Sequence, residues 1–240
     1  MICVLLCAGY ATRMYPLTEN FPKPLLEIKG KTIIDYLIDD LEQNSSIDKY
    51  VIVSNHKFID HFNRWKATRK EQIVVLDDGS EDNEHRLGAV KDIWFAIEKE
   101  GINDDIIVLA GDNLLDFSLK GFINFSNDKN GNAVMRYRES DINRLRRTGV
   151  AVIDDNCLIT NMEEKPQNPK SEWAIPPFYI FRKDYLSKIK EGIDSGCKVD
   201  APGGFIEWFA NKYSVYAYLM PGKRIDIGNL EDYYRINSEE

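Results

Sequence analysis

The chain has 240 residues, of which 43% are hydrophobic and 29% charged, and it carries a net charge of −8. That length can bury a substantial core, and one large α/β domain is the simplest count. The acidic balance argues against a general nucleic-acid binder, which needs a basic surface, but a triphosphate needs only a few local cations. No apolar run reaches spanning length, and the N-terminal run is short and lacks a basic leader. Neither a signal peptide nor a membrane helix is therefore expected, and the cytoplasm is the default compartment.

Residues 2–7 form an apolar run that reads as a fully buried strand. The turn Ala8-Gly9-Tyr10-Ala11-Thr12-Arg13 follows at once, and Pro22-Lys23-Pro24 comes ten residues later. Small residues let backbone N–H groups approach phosphate oxygens closely. Arginine offers phosphate a planar fork and lysine a point charge. The flanking prolines stiffen the backbone that carries Lys23. Strand, turn and two cations make a plausible triphosphate holder, with a purely structural loop as the alternative.

Ile34, Leu37, Ile38 and Leu41 recur at helical spacing, with Thr32 placed to cap that helix. Strands are expected over 49–54, 72–77 and 104–110, with a helix carrying Val90, Ile93, Trp94 and Ile97 before the last of them. Such alternation predicts a mostly parallel sheet covered on both faces. The acidic string 77–84 reads as a solvated, mobile loop. After about residue 130 closely spaced strands at 133–137, 149–153, 158–162 and 173–181 suggest mixed or antiparallel additions. Helices are expected over 183–191, 203–211 and 230–237.

Cys3 and Cys7 lie about 13 Å apart at ~3.3 Å per strand residue, too far for a disulfide. Cys157 and Cys197 show no paired spacing, and all four cysteines read as reduced. His56, His61 and His85 lack ligand spacing and suit surface or polar-network roles. Asp112 ends an aliphatic run, where open α/β sheets bind ligands and where Mg²⁺ can use a carboxylate with substrate phosphates. Its alternative is a helix-capping aspartate.

The N-terminal string Leu6-Cys7-Ala8-Gly9-Tyr10-Ala11-Thr12-Arg13, then Pro16-Leu17-Thr18, then Pro22-Lys23-Pro24, resembles the start of the nucleotide-sugar pyrophosphorylases (sugar-phosphate nucleotidyltransferases). One departure is Ala11, where that family has its second glycine. If the position needs a positive φ, alanine is strained; if it needs only a small side chain, alanine fits. The resemblance extends, in order, along nearly the whole chain.

It implies a single-domain, Rossmann-like α/β fold of the nucleotide-diphospho-sugar transferase type, with a mixed, mostly parallel sheet covered by helices. The nucleotide half would span about 1–130 and the sugar-phosphate half about 131–240. Ala8, Gly9, Ala11, Thr12, Gly88 and Asp112 would contact nucleotide. Arg13 and Lys23 would be the catalytic cations, with side chains that face ligand rather than core. Asp112 and Asp226 would hold Mg²⁺, although Asp226 also reads as a turn aspartate before Gly228. Glu164 would accept sugar hydroxyl hydrogen bonds, Lys165 would hold the sugar phosphate and Gly149 would lie beside the sugar; a solvated salt bridge is the alternative for the charged pair. Gly88 would bring backbone against the base, or else be a helix-start glycine.

The implied reaction joins an NTP, with dTTP or UTP favoured, to a sugar 1-phosphate and releases pyrophosphate. Thr148 replaces a family tyrosine, and Pro176-Pro177 stands where Thr-Gly is usual. The altered Pro176-Pro177 region keeps open cytidylyl transfer to a non-sugar phosphate such as phosphocholine. A catalytically inactive nucleotide-sugar sensor is a weaker alternative. Arg136, Arg138, Arg144, Arg146 and Arg147 form a local basic group, read as solvated surface or as help with phosphate. Neither nucleic acid nor membrane is an expected partner, and a homo-oligomer is left open.

Overall fold

The computed structural model describes residues 1–44 and 47–238, leaving aside the side chains of Asn44 and Asp226. In chain order its first elements are β1 (Ile2–Leu6), β2 (Glu27–Ile28), β3 (Lys31–Thr32), α1 (Ile33–Asn44), β4 (Lys49–Ser54), α2 (Ile59–Lys66), β5 (Ile73–Asp77), α3 (Ala89–Glu100), β6 (Ile106–Ala110) and β7 (Asn113–Leu115). Then come α4 (Lys120–Lys129), β8 (Asn132–Arg138), α5 (Ile142–Leu145), β9 (Gly149–Ile153), β10 (Ile159–Glu164), β11 (Trp173–Ile175) and β12 (Phe178–Phe181). The last elements are α6 (Ser187–Asp194), α7 (Pro202–Ala210), β13 (Val215–Leu219), β14 (Arg224–Asp226) and α8 (Leu230–Ser238). Two compact units interleave along the sequence: 1–86 with 110–120 and 222–240, and 87–109 with 121–221.

In the first unit β1, β4 and β5 run parallel, with Val4 opposite Val51 and Val51 opposite Val74. Cys3, Val4, Leu5, Val51, Ile52 and Val53 are fully buried. Such unbroken apolar runs suit parallel strands, whose two faces are both covered. Helix α1 buries Ile33, Ile34, Leu37, Ile38 and Leu41 at the expected spacing. Thr32 does not cap it: its hydroxyl is buried without a partner among the described residues, and the Ile33 N–H donates to the Leu26 carbonyl at 3.0 Å. Thr32 is part of the β2–β3 hairpin instead, so backbone pairing takes over the role expected of the side chain. A second core of Met14, Leu26, Ile28, Ile33, Leu114, Ile227 and Ile236 packs Leu114 of β7 and Ile227, just past β14, against α1 and α8.

In the second unit the strand order is β10–β9–β11–β8–β12–β6, all antiparallel neighbours, and β13 lies parallel to β8. The change of pattern after residue 130 is therefore real. The single strand expected over 173–181 is broken. Ala174 faces Tyr137 and Tyr179 faces Val134 on β8, so five steps on one strand span three on the other. Pro176 and Pro177 occupy the bulge because proline has no N–H to give the ladder. The Phe178 N–H turns back to the Pro176 carbonyl at 2.8 Å. Strand β10 runs two residues farther than expected, to Glu164, which pairs with Gly149.

Candidate active site

The turn after β1 is tied at its carbonyls and open at its N–H groups. Asn55, fully buried, donates from Nδ2 to the Ala8 carbonyl at 3.0 Å and accepts from the Phe58 N–H at 3.0 Å. Thr18 donates its hydroxyl to the Ala11 carbonyl at 2.8 Å, and Tyr10 donates its phenol to the Ser80 carbonyl at 2.9 Å. Among the described residues the N–H groups of residues 9 to 13 find no acceptor. Successive free N–H groups in a tight turn form a concavity suited to an anion. Arg13 is exposed beside them and makes no ion pair among the described residues.

Ala11 has φ 47° and ψ 41°. The position does require the left-handed region, so Ala11 bears a strain that glycine would not, about 1–2 kcal/mol before glycine's larger entropy loss is counted. Ala11→Gly is expected to leave stability unchanged or raise it by up to about 1 kcal/mol, and Ala11→Val to lower it. Urea unfolding of the two variants checks this, and a destabilised Ala11→Gly would contradict the strain assignment.

The acidic segment after β5 is more structured than a solvated loop. Asp78 accepts hydrogen bonds at 2.7 Å from both the N–H and the hydroxyl of Ser80, and Ser80 is the residue that receives the Tyr10 phenol. This segment thus buttresses the turn from the far side.

Lys23 follows the extended Pro22 in a short helical turn and is only 7% exposed. Its Nζ donates to Asp112 Oδ2 at 2.7 Å. Burial corrects the expectation that this side chain only faces ligand. The other Asp112 oxygen accepts from Asn113 Nδ2 at 2.9 Å, and buried Asn113 accepts in turn from Arg224 at 2.9 Å. Gly111 has no room for a side chain, since a Cβ would lie 2.5 Å from Cys7 Sγ. Burial first, and then the Asp112 charge, push the Cys7 thiol up, so it stays protonated.

The side chain of Asp226 lies outside the described residues, but its backbone pairs with Asn113 across β14 and β7. Residues 112 and 226, distant in sequence, are thereby neighbours. Mg²⁺ is commonly held by one or two carboxylates plus substrate phosphates rather than by an all-protein cage. The half-exposed Asp112 carboxylate fits such a site. No group of three His, Cys, Asp or Glu suited to metal lies among the described residues, which a phosphate-completed site does not need.

In the second unit Glu164, Gly149 and Lys165 come together. The Glu164 side chain is 10% exposed, and no hydrogen-bond donor reaches it among the described residues; Lys165 Nζ stands 3.9 Å away. Burial first pushes its carboxyl up, against the opposing pull of Lys165, while Glu207 adds to the rise and Lys198 opposes it. Gly149 makes room for it: a Cβ there would lie 3.1 Å from Glu164 Oε2 and 2.4 Å from Met162 Cε. Gly203, at the start of α7, was not singled out from sequence, yet a Cβ there would lie 2.0 Å from Glu164 Oε2. The Pro202-Gly203-Gly204 run was its available signal.

Lys165 has φ 52° and an exposed side chain, with its N–H donating to the Thr148 carbonyl at 3.1 Å. A raised carboxyl in the folded state stabilises the fold fully below the unfolded value near 4.5 and loses that contribution as pH rises through the folded value. Glu164→Gln is therefore expected to melt higher than the parent at pH 7 and to lose that advantage below about pH 4.5. Melting curves at both pH values check the sign.

Gly88 has φ 92°, and its side-chain space is filled by protein: a Cβ would lie 2.8 Å from the Val199 carbonyl oxygen and 3.0 Å from Asp200 Cα. A bulky residue there would strain this backbone directly. Of the basic group, Arg136 stacks on Trp173 at 4.5 Å, Arg138 and Arg144 form surface ion pairs, and Arg146 donates to the Gln167 carbonyl. Arg138, Arg144 and Arg146 suit the surface reading; Arg136 does not, since its Nε is buried without a partner among the described residues. His56 and His85 pair with Asp77 and Asp82, and His61 packs edge-on to Phe21. All four cysteines are free.

A parallel strand thus ends in an open N–H turn, with cations and a carboxylate beside it, an arrangement within an α/β fold that suits a phosphorylated ligand. The chain belongs to the nucleotidyl transferase family, whose sequence profile matches residues 2–240. It is 30% identical over 240 residues to a candidate mannose-1-phosphate guanyltransferase of Sulfolobus acidocaldarius, covering 98% of this chain and 62% of that protein. It is 27% identical to a UTP–glucose-1-phosphate uridylyltransferase of Haloferax volcanii, covering 97% of this chain and 93% of that one. Several of the relatives are thus much longer than this chain. The structure of a candidate glucose-1-phosphate thymidylyltransferase of Bacillus anthracis superposes with a TM-score of 0.80 at 22% identity, covering 99% of this chain and 94% of that one. That likeness establishes the fold: a mixed central sheet with flanking helices, of the nucleotide-diphospho-sugar transferase type. Among the described residues no helix is long and apolar enough to cross a membrane.

Proposed function

We propose that the protein transfers a nucleotidyl group from an NTP to a sugar 1-phosphate, giving an NDP-sugar and pyrophosphate. The observation that carries this reading is the run of N–H groups at residues 9 to 13 that find no acceptor among the described residues, beside Arg13, which makes no ion pair among them. Family membership supports it, and the sugar-phosphate transferases among the relatives give the acceptor class. The two relatives differ in base, guanyl in one and uridylyl in the other, so base choice rests on the overall resemblance, which favours dTTP or UTP.

The turn N–H groups and the Arg13 guanidinium hold the triphosphate. Ala8, Gly9, Ala11 and Thr12 matter for their small side chains, which leave the phosphates close to backbone. Lys23 sets its cationic side chain beside the α-phosphate. Asp112 orients it and, with Asp226, would hold Mg²⁺. When bound, the metal supplies positive charge that offsets repulsion between the two phosphate groups. Glu164 accepts hydroxyl hydrogen bonds from the acceptor, Gly149 keeps space for that carboxylate, and exposed Lys165 takes the acceptor phosphate.

An acceptor phosphate oxygen then attacks the α-phosphorus, the bond from Pα to the bridging oxygen breaks, and pyrophosphate leaves with the electron pair. The step needs positioning and charge neutralisation, not a protein nucleophile. Residues up to about 130 supply most of the nucleotide contacts and later residues most of the acceptor contacts. Gly88 would offer backbone, not side-chain space, to the base. The NTP pool places the reaction in the cytoplasm. A second reading, cytidylyl transfer to phosphocholine, draws on the Pro176-Pro177 bulge that ends the strand paired to Gly149. A pyrophosphate-release screen of all NTPs against sugar 1-phosphates and phosphocholine tests both readings. Release with no combination would overturn them.

A further inference from the structure

Gly203 is the second residue of the nine-residue helix α7, after Pro202. The helix has no side-chain cap at Ala201. The Gly203 N–H has no acceptor among the described residues. The Glu164 carboxylate stands where a Gly203 side chain would be, with Oε2, Cδ and Oε1 at 2.0, 2.5 and 2.9 Å from an added Cβ. It is nine-tenths buried and without a hydrogen-bond donor among the described residues.

A helix N-terminus carries partial positive charge and orphan donors. A carboxylate is an acceptor only. Side by side they offer both halves of what a hydroxyl needs, since a hydroxyl donates and accepts at once. The charged groups that act on Glu164 are Lys165, Lys198 and Glu207. Two cations and a second anion around one carboxylate leave the surroundings close to neutral. With Lys165, Lys198 and the helix end offsetting Glu164 and Glu207, little net negative charge is left to hold a cationic guest. A quaternary ammonium, which neither donates nor accepts hydrogen bonds, gains nothing from the orphan donors.

We propose that Gly203 is a specificity-determining residue of the acceptor site: the space left by its missing side chain seats the Glu164 carboxylate against the first turn of α7, and this arrangement selects a neutral hydroxylated acceptor over one bearing a quaternary ammonium. The proposal rests on the reading of Glu164 as an acceptor-binding residue. It goes beyond that reading by assigning selection to Gly203 and by choosing between the two acceptor classes.

The test compares parent, Gly203→Ala, Glu164→Ala and the double variant. The probes are glucose 1-phosphate and phosphocholine, each with UTP and with CTP. In the parent, glucose 1-phosphate should be used and phosphocholine rejected. Gly203→Ala should raise KM for glucose 1-phosphate roughly tenfold to a hundredfold, as expected for losing a hydrogen bond to a charged group. KM for the NTP should move less than about twofold, because nucleotide contacts are untouched. Gly203→Ala should lower the melting temperature in the parent but not in Glu164→Ala, where the deleted side chain leaves space for the added methyl. Likewise KM should not rise further in the double variant.

Equal shifts in both backgrounds would mean that Gly203 acts independently of Glu164, and would overturn the proposal. Phosphocholine turnover equal to or above that of glucose 1-phosphate would overturn the selection. If the parent releases no pyrophosphate with any acceptor, the functional reading falls. The melting-temperature cycle then still decides whether Gly203 seats Glu164.

Discussion

Asp112→Asn is expected to lower pyrophosphate release by on the order of 10²–10³, the usual loss when one preorganised charge stabiliser is removed. Asparagine keeps the shape of the side chain. Its amide can still face Asn113, but it no longer balances the Lys23 ammonium that lies 2.7 Å from Oδ2. The substitution would thus weaken the proposed metal ligand and unseat the lysine together. Two measurements separate these effects. In the parent, activity should vanish in excess chelator and return with Mg²⁺ or Mn²⁺. In the variant, higher metal concentration should recover part of the rate only if metal binding is the main loss. Full parent activity in excess chelator would sink the metal assignment.

Lys23→Ala and Arg13→Ala should each reduce turnover by about 10²-fold or more, since each withdraws a cation from developing charge. Their effects on stability should differ. Arg13 is exposed and makes no ion pair among the described residues, so its removal should stay within about 0.5 kcal/mol of the parent. Lys23 is 7% exposed and paired, so its loss leaves Asp112 with one donor fewer in a partly buried place. A buried pair broken from one side costs about 3–5 kcal/mol, and exposed pairs under about 1. Asp112 is 36% exposed on its side chain, so the cost should fall near the lower figure, on the order of 1 kcal/mol. Denaturant unfolding with steady-state kinetics on both variants checks the contrast. A fully active folded Lys23→Ala would make the lysine a structural residue.

Much of the candidate site is legible in the chain because its motifs are local. The strand-turn string from Leu6 to Arg13 and the Pro22-Lys23-Pro24 clamp are contiguous, and their chemistry follows from residue type and spacing. The parallel strands of the first unit are equally plain, because apolar residues fill most of their positions. The interruption at Pro176 and Pro177 was written in the residues too, although the expected strand ran through it.

Other features depend on contacts between distant segments. Nothing local to Lys23 says that it is buried against Asp112, because its partner is 89 residues away. Asn55 holds the Ala8 carbonyl from the end of β4, 47 residues on. Gly203 shares no motif with Glu164, yet its missing side chain leaves the carboxylate its place. Gly88 signals a close approach in sequence, and only the fold reveals Val199 and Asp200 as the backbone that fills its side-chain space. The sequence by itself determined which segments form the buried strands, through their period, and which polar groups are candidates for the chemistry, through residue type and motif. The tertiary structure decided which of those groups lose water, pair or stay unpaired, because burial and neighbours are set by packing between elements that the chain order keeps apart.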